Sequence, residues 1–155
     1  MMMPGKRAPG QNGSSNFILN QLVYEYDGKG IAMIELIEGF PDNVVALLAK
    51  GKITKQDYET VTIPGVENAL KRHHKIRLYY ELGSQFSGIE PGAAWEDLKV
   101  GVEHLTRWER VAMVTDTDWI KHMVNAFRFM MPGHLRVFPT AQASEARAWI
   151  VGSGA

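Results

Sequence analysis

The side chains that could perform acid–base or metal chemistry are scattered along this sequence. The histidines are His73, His74, His104, His122 and His134, and no two of them stand four residues apart or flank a single residue. His73 and His74 would point about 100° apart on a helix, so they would not chelate one ion together. The chain has no cysteine, which excludes thiolate metal sites. The sequence therefore predicts no metal site and no cofactor.

The carboxylates also lack a catalytic arrangement. Glu96 and Asp97 are adjacent, and neighbours on a helix diverge, so an acid–base pair would need a further partner. Asp116 and Asp118 precede an amphipathic segment and are explained more economically as helix caps than as metal ligands. Gly28-Lys29-Gly30 lacks the third glycine and the following helix of a dinucleotide-binding loop. We expect a protein that binds rather than an enzyme, with no catalytic residue.

The most informative stretch for function is a predicted helix from Trp119 to Met131, which Pro132-Gly133 would end. At 100° per residue its apolar side chains share an arc of about 160°. They are Trp119, Ile120, Met123, Val124, Ala126, Phe127, Met130 and Met131. Two interpretations of this arc stay open. It is either an ordinary face of a filled core, or its large adaptable side chains (Trp119, Met123, Phe127, Met130 and Met131) line a pocket for an apolar or lipid-like ligand.

Phe129 falls in the middle of the opposite arc of the same helix. Its neighbours there are Lys121, His122, Asn125 and Arg128. A solvent-side Phe can be an incidental surface aromatic. Alternatively, Phe129 dips into a membrane interface or a partner's groove while Lys121 and Arg128 meet anionic headgroups.

Hydrophobic periodicity predicts the strands that would support this helix. The first two strands, Met33–Ile37 and Val44–Ala49, are separated by a short turn and should run antiparallel. Three further strands follow at Ile76–Leu82, Val111–Val114 and Leu135–Phe138. Helical segments alternate with them, as in a parallel sheet with right-handed crossovers. We expect an α/β fold with a single mixed, mostly parallel sheet of about five strands, an antiparallel first strand and about four helices.

The predicted helices have their own signals. Thr54 is a good N-cap with Asp57 completing a capping box, and that helix should be interrupted at Pro64-Gly65. A central helix should bury one face, which consists of Ala94, Trp95, Leu98, Val102 and Leu105. The last helix should bury Ala143, Ala146, Trp149 and Ile150.

Bulk properties limit the class of protein. At 155 residues the chain allows one domain, and its 17 basic and 17 acidic side chains give a net charge of zero. That balance argues against a nucleic-acid binder. No apolar run approaches the roughly 20 residues that span a bilayer, and the absence of cysteine fits a reducing compartment. We expect a cytoplasmic domain over residues 33–152. We expect residues 1–32 to be a disordered or loosely docked extension, or to precede a physiological start at Met33.

Several segments together resemble the SpoIIAA-like, STAS-related family of small bacterial proteins. They are Asp57-Tyr58-Glu59, Gly92-Ala93-Ala94-Trp95-Glu96-Asp97-Leu98-Lys99, Glu109-Arg110-Val111-Ala112-Met113-Val114, Pro132-Gly133 with Arg136-Val137-Phe138, and Glu145-Ala146-Arg147-Ala148-Trp149. The match runs from about Met33 to Val151 in the family's order. The resemblance implies a STAS-type fold akin to CRAL-TRIO lipid-transfer domains, no established catalytic residues, and members that bind apolar ligands or membranes.

One departure from the wider STAS group concerns its regulatory serine. Anti-sigma-factor antagonists carry a phosphorylatable Ser in an Asp-Ser-Ser-Gly-like turn after the third strand. Ser87-Gly88 is the nearest equivalent here, and no Asp precedes it. A phospho-switch of that kind is therefore poorly supported.

Two functional hypotheses follow. The first is a non-enzymatic domain that binds an apolar or lipid-like molecule and associates reversibly with membranes. The second is a regulatory protein-interaction module that uses the loop Ser84–Glu90, which contains Phe86 and Ser87, and the adjacent helix end.

Overall fold

The computed structural model describes residues 33–128 and 134–152, except for the side chains of residues 95–98, 101–102 and 127. The predicted extension (residues 1–32) and Phe129, Met130 and Met131 lie outside this range. The division of the chain at Met33 therefore stays a prediction, as do the roles given to those three side chains.

The main sheet has five strands, as the sequence predicted. Its strands are β1 (Ile34–Leu36), β2 (Val44–Ala49), β4 (Ile76–Leu82), β6 (Trp108–Val114) and β7 (Leu135–Phe138). Their order in the sheet is β1-β2-β4-β6-β7, with β1 antiparallel to β2 and the other pairs parallel. A small parallel pair, β3 (Lys52–Ile53) and β5 (Gly88–Ile89), was not predicted. Two residues are too few to show a period.

The helices are α1 (Lys55–Asp57), α2 (Ile63–Arg72), α3 (Pro91–Glu103), α4 (Asp118–Arg128) and α5 (Ala143–Val151). Successive parallel strands are added in one direction, so right-handed crossovers place α2, α3 and α4 on the same face of the sheet. In the part of the chain that the structure describes, no helix is long and apolar enough to cross a bilayer.

Helix α5 covers the other face of the sheet. Its Ala146 and Ile150 are fully buried against Ala46, Tyr79 and Ala112. The strand register places these three strand residues side by side across the sheet. Both faces of the central strands are thus covered, which explains their long apolar runs.

The start of the first helical segment follows the predicted capping box. The Thr54 hydroxyl accepts from the Asp57 N–H, and the Asp57 carboxylate accepts from the Thr54 N–H at 2.8 Å. The predicted interruption at Pro64-Gly65 is wrong. A π turn (Tyr58–Thr62) leads directly into α2, with the Ile63 N–H bonded to the Tyr58 carbonyl five residues back. Pro64 lies in the first turn of α2, where its missing N–H is tolerated.

The predicted inward face of α3 needs one correction. Ala94 is exposed, whereas Ala93 is fully buried, so Ala94 does not belong to the buried face. Leu105 is half-buried and lies beyond α3 in a 3-10 turn, Leu105–Arg107. Trp95, Leu98 and Val102 are among the residues whose side chains the structure does not describe.

The buried stripe of α4 is narrower than the predicted arc. Ile120 and Val124 are buried, Met123 is half-buried and Ala126 is exposed. Trp119 is 48% exposed because it lies about 100° around the helix from Ile120. Trp119 is therefore a surface residue rather than part of a core face.

Candidate functional site

The strongest candidate site lies where the parallel strands end. The carboxyl ends of β4, β6 and β7 meet at one edge of the sheet, which is where α/β folds usually place binding residues. We call this region the strand-end surface and define it as Phe86, Ser87, Asp116, Asp118 and Trp119. Phe86 and Ser87 follow β4, and the other three residues follow β6.

Two aromatic rings meet at this surface. The centroids of Phe86 and Trp119 are 6.3 Å apart, with their planes tilted by 35°. This is within the separation at which aromatic pairs attract. Phe86 is half-buried, and Trp119 is one of three large hydrophobic residues found exposed within the described range. Phe86 is therefore the partly packed ring of the pair, and Trp119 is the solvent-accessible one.

Backbone hydrogen bonds hold the loop that carries Phe86. The Gly51 N–H donates to the Gln85 carbonyl at 2.8 Å, and the Ser87 N–H donates to the Gly51 carbonyl at 2.9 Å. Gly51 has a φ of +82°, a backbone conformation that favours glycine. A Cβ added there would lie 2.6 Å from the sulfur of Met33. Glycine at this position therefore allows the connection between β2 and α1 to hold the Phe86 loop through these two hydrogen bonds.

The loop after β6 is held as firmly. The Asp116 carboxylate accepts from the Thr140 N–H at 3.0 Å and from the Thr140 hydroxyl. These hydrogen bonds hold the pKa of the Asp116 carboxyl below its usual value, so it carries a negative charge at neutral pH. Asp116 thus joins the end of β6 to the connection after β7, a contact that replaces its predicted role as a helix cap.

Charges of both signs lie at the strand-end surface. The Asp118 side chain is 87% exposed, and its carboxylate lies 3.7 Å from the Lys121 ammonium. Asp116 is exposed as well, and so is Lys52, which pairs in register with Gly88 just after Ser87. The carboxylates of Asp116 and Asp118 therefore share this edge with the cations of Lys52 and Lys121.

The structure brings together only some of the residues predicted to form a site. Trp119, Phe86 and Ser87 share the strand-end surface, with Ser87 exposed. Arg128 is exposed at the far end of α4, so it does not share a site with Trp119. Met123 and Lys121 are half-buried between them. The predicted apolar pocket beneath α4 stays a prediction, since the Phe127 side chain and residues 129–131 are not described.

The contact between Phe86 and Trp119 was not predicted from the sequence, from which Trp119 was expected in a ligand pocket and Phe86 in a loop that contacts a membrane or a partner. The signal that could have linked them is topological, because both residues follow strands whose carboxyl ends are neighbours in a parallel sheet.

A cleft between α2 and α3 was also not predicted. Its volume is about 170 Å³, and it is lined by Ile63, Val66, Glu67, Lys99, Val100, Glu103 and His104. Ligand pockets usually enclose about 300–1,000 Å³. The cleft is therefore too small to be the main binding site.

Comparison with known proteins places this architecture in a family. The SpoIIAA-like family model matches residues 44–151, which is more than half of the chain. No curated protein matches the chain. A solved structure from Shewanella loihica PV-4, an uncharacterized protein of the DUF3478 family with a SpoIIAA-like fold, is similar at 28% identity and a TM-score of 0.60. The alignment covers 76% of this chain and 91% of that one. This chain belongs to the SpoIIAA-like family.

Proposed function

We propose that this chain is a STAS-type regulatory module that docks a protein partner through the strand-end surface and acts by binding rather than by catalysis. The observation that carries the proposal is the exposed indole of Trp119, supported by Phe86 on a loop that backbone hydrogen bonds hold in place. Tryptophan is enriched among the few residues that dominate binding energy at protein interfaces. An aromatic anchor that is already ordered loses little conformational entropy on binding.

The charges indicate what the partner presents. Asp118 precedes Trp119 in the chain and its side chain is 87% exposed, so complementarity favours a partner with an apolar pocket and a Lys or Arg that meets this carboxylate.

The test is an affinity purification followed by a binding measurement. The protein, a Trp119→Ala variant and a Val151→Ala control would each be used to capture partners from the cells that produce it. Val151 is 43% exposed on α5, so its truncation also removes an accessible apolar side chain. We expect one stoichiometric partner with the parent protein and the control, and none with Trp119→Ala.

The captured partner would then be purified and titrated calorimetrically. Loss of a central aromatic anchor weakens binding by about 2–4 kcal/mol, which is roughly 30- to 1,000-fold. Asp118→Lys should weaken the same complex, and added salt should reduce that difference. Unchanged affinity for both Trp119→Ala and Asp118→Lys would rule out this surface.

The second candidate function is binding of an apolar or lipid-like ligand with reversible membrane association. The observation that favours it is again the exposed Trp119, since an indole at the end of an amphipathic helix suits a membrane interface. Native mass spectrometry of the purified protein and flotation with neutral phosphatidylcholine vesicles distinguish the two. A retained lipid, or vesicle binding lost in Trp119→Ala, would favour the ligand over the protein partner.

A further inference from the structure

The main sheet ends laterally at β7, and within the described range the outer side of this strand is uncovered. In the strand order of the sheet, β7 is last and pairs with β6 alone. Helix α5 follows β7 but turns back over the middle of the sheet, where its buried residues contact β2, β4 and β6. The backbone on the outer side of β7 is therefore accessible to another strand.

The hydrogen bonds to β6 show which backbone groups of β7 face outwards. The His134 and Phe138 carbonyls accept from N–H groups of the β6 segment at 2.7 and 2.9 Å. Backbone groups of successive strand residues point alternately to the two sides, so those of Arg136 face β6 as well. The N–H and C=O groups of Leu135 and Val137 therefore point away from the sheet.

The side chain of Arg136 stands between these outward groups. It is exposed, with its guanidinium 4.8 Å from the Phe138 ring centroid and 5.1 Å from that of Trp149. Stacking on two rings orients the planar guanidinium while its N–H groups remain able to donate to a carboxylate. We call the outward backbone groups of Leu135 and Val137, together with the Arg136 side chain, the β7 border.

Arg136 differs from the other arginines on this face of the sheet. Arg77 pairs with a carboxylate at 2.9 Å and Arg147 with another at 3.7 Å, and Arg110 donates to a backbone carbonyl of α5. Among the described residues, Arg136 makes ring contacts and no ion pair. The β7 border thus presents an oriented cation without a carboxylate partner in the part of the chain that the structure describes.

We infer that the β7 border binds an extended acidic segment of a partner protein, which adds a strand beside β7 and places a carboxylate against Arg136. In strand addition, backbone hydrogen bonds provide affinity and alternate side chains provide specificity. In an antiparallel addition, Arg136 would occupy a non-hydrogen-bonded position, where opposite side chains come closest. A Glu or Asp opposite it would form a charge-assisted hydrogen bond.

The neighbours of Arg136 define the rest of the segment. Leu135 and Val137 point to the other face of the sheet, where Leu135 is buried and Val137 is half-buried. Residues opposite them would meet apolar side chains, which favours β-branched residues there. The expected segment therefore has one acidic residue between two residues such as Val, Ile or Thr.

Two other arrangements fit the charges less well. Pairing Leu135 with Val137 of a second copy of this chain would place Arg136 opposite Arg136 of that copy, and like charges directly opposite are destabilising. At the other lateral border of the sheet, Glu35 of β1 already pairs with Lys50. The charge complementarity therefore favours an acidic segment at β7.

The inference does not rest on the proposed function. The β7 border lies along the side of the sheet, whereas Trp119 lies beyond the ends of its strands. A Trp119→Ala variant should therefore bind the acidic segment like the parent protein.

The experiment is a nuclear magnetic resonance titration of the isotope-labelled full chain with a peptide blocked at both ends, Ser-Thr-Val-Glu-Val-Thr-Ser. In the free protein, amide exchange at Leu135 and Val137 should be fast, because both N–H groups face solvent. Millimolar peptide should shift these two amide signals and slow their exchange. A peptide with Gln in place of Glu should bind up to about fivefold more weakly.

Charge reversal makes the test specific. Arg136→Glu replaces an attraction by a repulsion of similar size, so the Glu peptide should bind up to about 25-fold more weakly. The same variant should bind a peptide with Lys in place of Glu about as tightly as the parent binds the Glu peptide. Arg147→Glu makes the same change over Phe40 and Tyr79, away from β7, and should bind like the parent.

Val137→Pro tests the backbone contribution. It removes one outward N–H and no hydrogen bond to β6, and proline is tolerated on edge strands. This variant should bind the Glu peptide about tenfold more weakly. Circular dichroism and melting temperature verify that each variant is folded.

Three results would overturn the inference. One is the absence of shifts at Leu135 and Val137 in millimolar peptide, which would mean that Arg136 only protects the border from pairing. Another is equal binding of the Glu, Gln and Lys peptides. The third is slow exchange at these two amides in the free protein, which would mean that the border is already covered. Sedimentation equilibrium would then show whether a second copy covers it.

Discussion

The two edges of the sheet differ in the kind of side chain that they present. At the strand-end surface, Phe86 and Trp119 form an aromatic pair beside Asp116 and Asp118. At the opposite edge, where the parallel strands begin, the exposed side chains include Lys71, Arg72, Lys75 and Arg128 together with Glu38, Asp42 and Glu103. Arg107 donates hydrogen bonds to three backbone carbonyls there. One edge presents an accessible aromatic ring, and the other presents exposed charged side chains, most of them cations.

The topology itself helps to create this difference. In a parallel sheet, each crossover helix begins near the strand ends and finishes near the strand starts. Acidic residues are stabilising at helix beginnings and basic residues at helix ends. Asp118 in the first turn of α4 and Arg128 in its last turn follow this rule. A chain with no net charge can therefore distribute its charges unevenly between the two edges.

The largest expected effect concerns the hydrogen bonds that join the beginning of β4 to the end of α5. Arg77 is 8% exposed and donates through Nη1 to the carbonyls of Ile150 and Gly152 at 2.7 and 2.6 Å. Its Nη2 pairs with Glu109. Arg77→Ala leaves these acceptors without their donor and should lower the free energy of unfolding by about 3–5 kcal/mol in urea titrations.

Arg136→Ala is the matched control for this prediction. Arg136 is exposed on the same face of the sheet, with its guanidinium 4.8 Å from the Phe138 ring centroid and 5.1 Å from that of Trp149. Its loss should lower the free energy of unfolding by only about 1 kcal/mol. Equal effects of the two substitutions would show that the buried hydrogen bonds of Arg77 do not hold α5.

The next effect concerns how the strand-end loops are held. Gly51→Ala places a side chain at a φ of +82° and against Met33. We expect a loss of about 1–2 kcal/mol in the free energy of unfolding, measured in urea. Amide exchange at Gly51 and Ser87 should become faster, because both N–H groups bond within this loop contact.

Gly92→Ala is the control for the glycine prediction. Gly92 lies in the first turn of α3, and an added Cβ would make ordinary contacts of 3.5 Å with Lys55. Alanine is favoured over glycine in a helix by up to about 1 kcal/mol, so this variant should be at least as stable as the parent. A Gly51→Ala variant as stable as Gly92→Ala would mean that the Phe86 loop does not need glycine at position 51.

A smaller effect on stability should appear at acidic pH and comes from the beginning of β6. The hydrogen bond from Arg77 holds the pKa of the Glu109 carboxyl below its ordinary value of 4.5. A carboxyl whose pKa is lowered on folding stabilises the fold at pH values above the pKa that it has in the unfolded chain. This contribution disappears as the pH falls through the lower pKa that it has in the folded protein. Stability should therefore decline below about pH 4.5. The Glu109 side chain is 41% exposed, which limits the contribution to less than about 1 kcal/mol.

Glu109→Gln tests this assignment. Urea titrations of the variant at neutral and at acidic pH should show a flatter dependence of stability on pH than those of the parent protein, because glutamine does not titrate. An unchanged pH dependence would mean that the acid sensitivity comes from other carboxyls, such as Asp42 and Asp116, whose pKa values are also lowered.

The sequence was sufficient for most of the fold because strands and helices have local signals. The bounds of β4 were predicted correctly. Its seven side chains point alternately to the two faces of the sheet, and polar connections precede and follow the strand. The continuation of the helix through Pro64 was not predictable, because it depends on a π turn just before the proline. The role of Arg77 was missed for another reason. Its carbonyl partner on Gly152 lies 75 residues away, and no local pattern encodes that contact.

The candidate site was predictable only in part, because its residues come from separate connections. Phe86 and Ser87 were correctly placed in an exposed loop, and Trp119 was correctly placed on an amphipathic helix. The wrong expectation was the width of the buried face of that helix, since periodicity alone groups Trp119 with Ile120 and Val124. The structure shows that the buried stripe ends before Trp119, which leaves the indole accessible.

Trp119→Ala should have the smallest effect on the free energy of unfolding. Because the indole is already 48% exposed, its truncation should change the free energy of unfolding by no more than about 1 kcal/mol. Phe138→Ala, which removes an aromatic ring that is only 4% exposed, should lower it by about 3–5 kcal/mol. A stability loss as large as that of Phe138→Ala would instead make Trp119 a core residue and remove the basis for a docking surface at the strand ends.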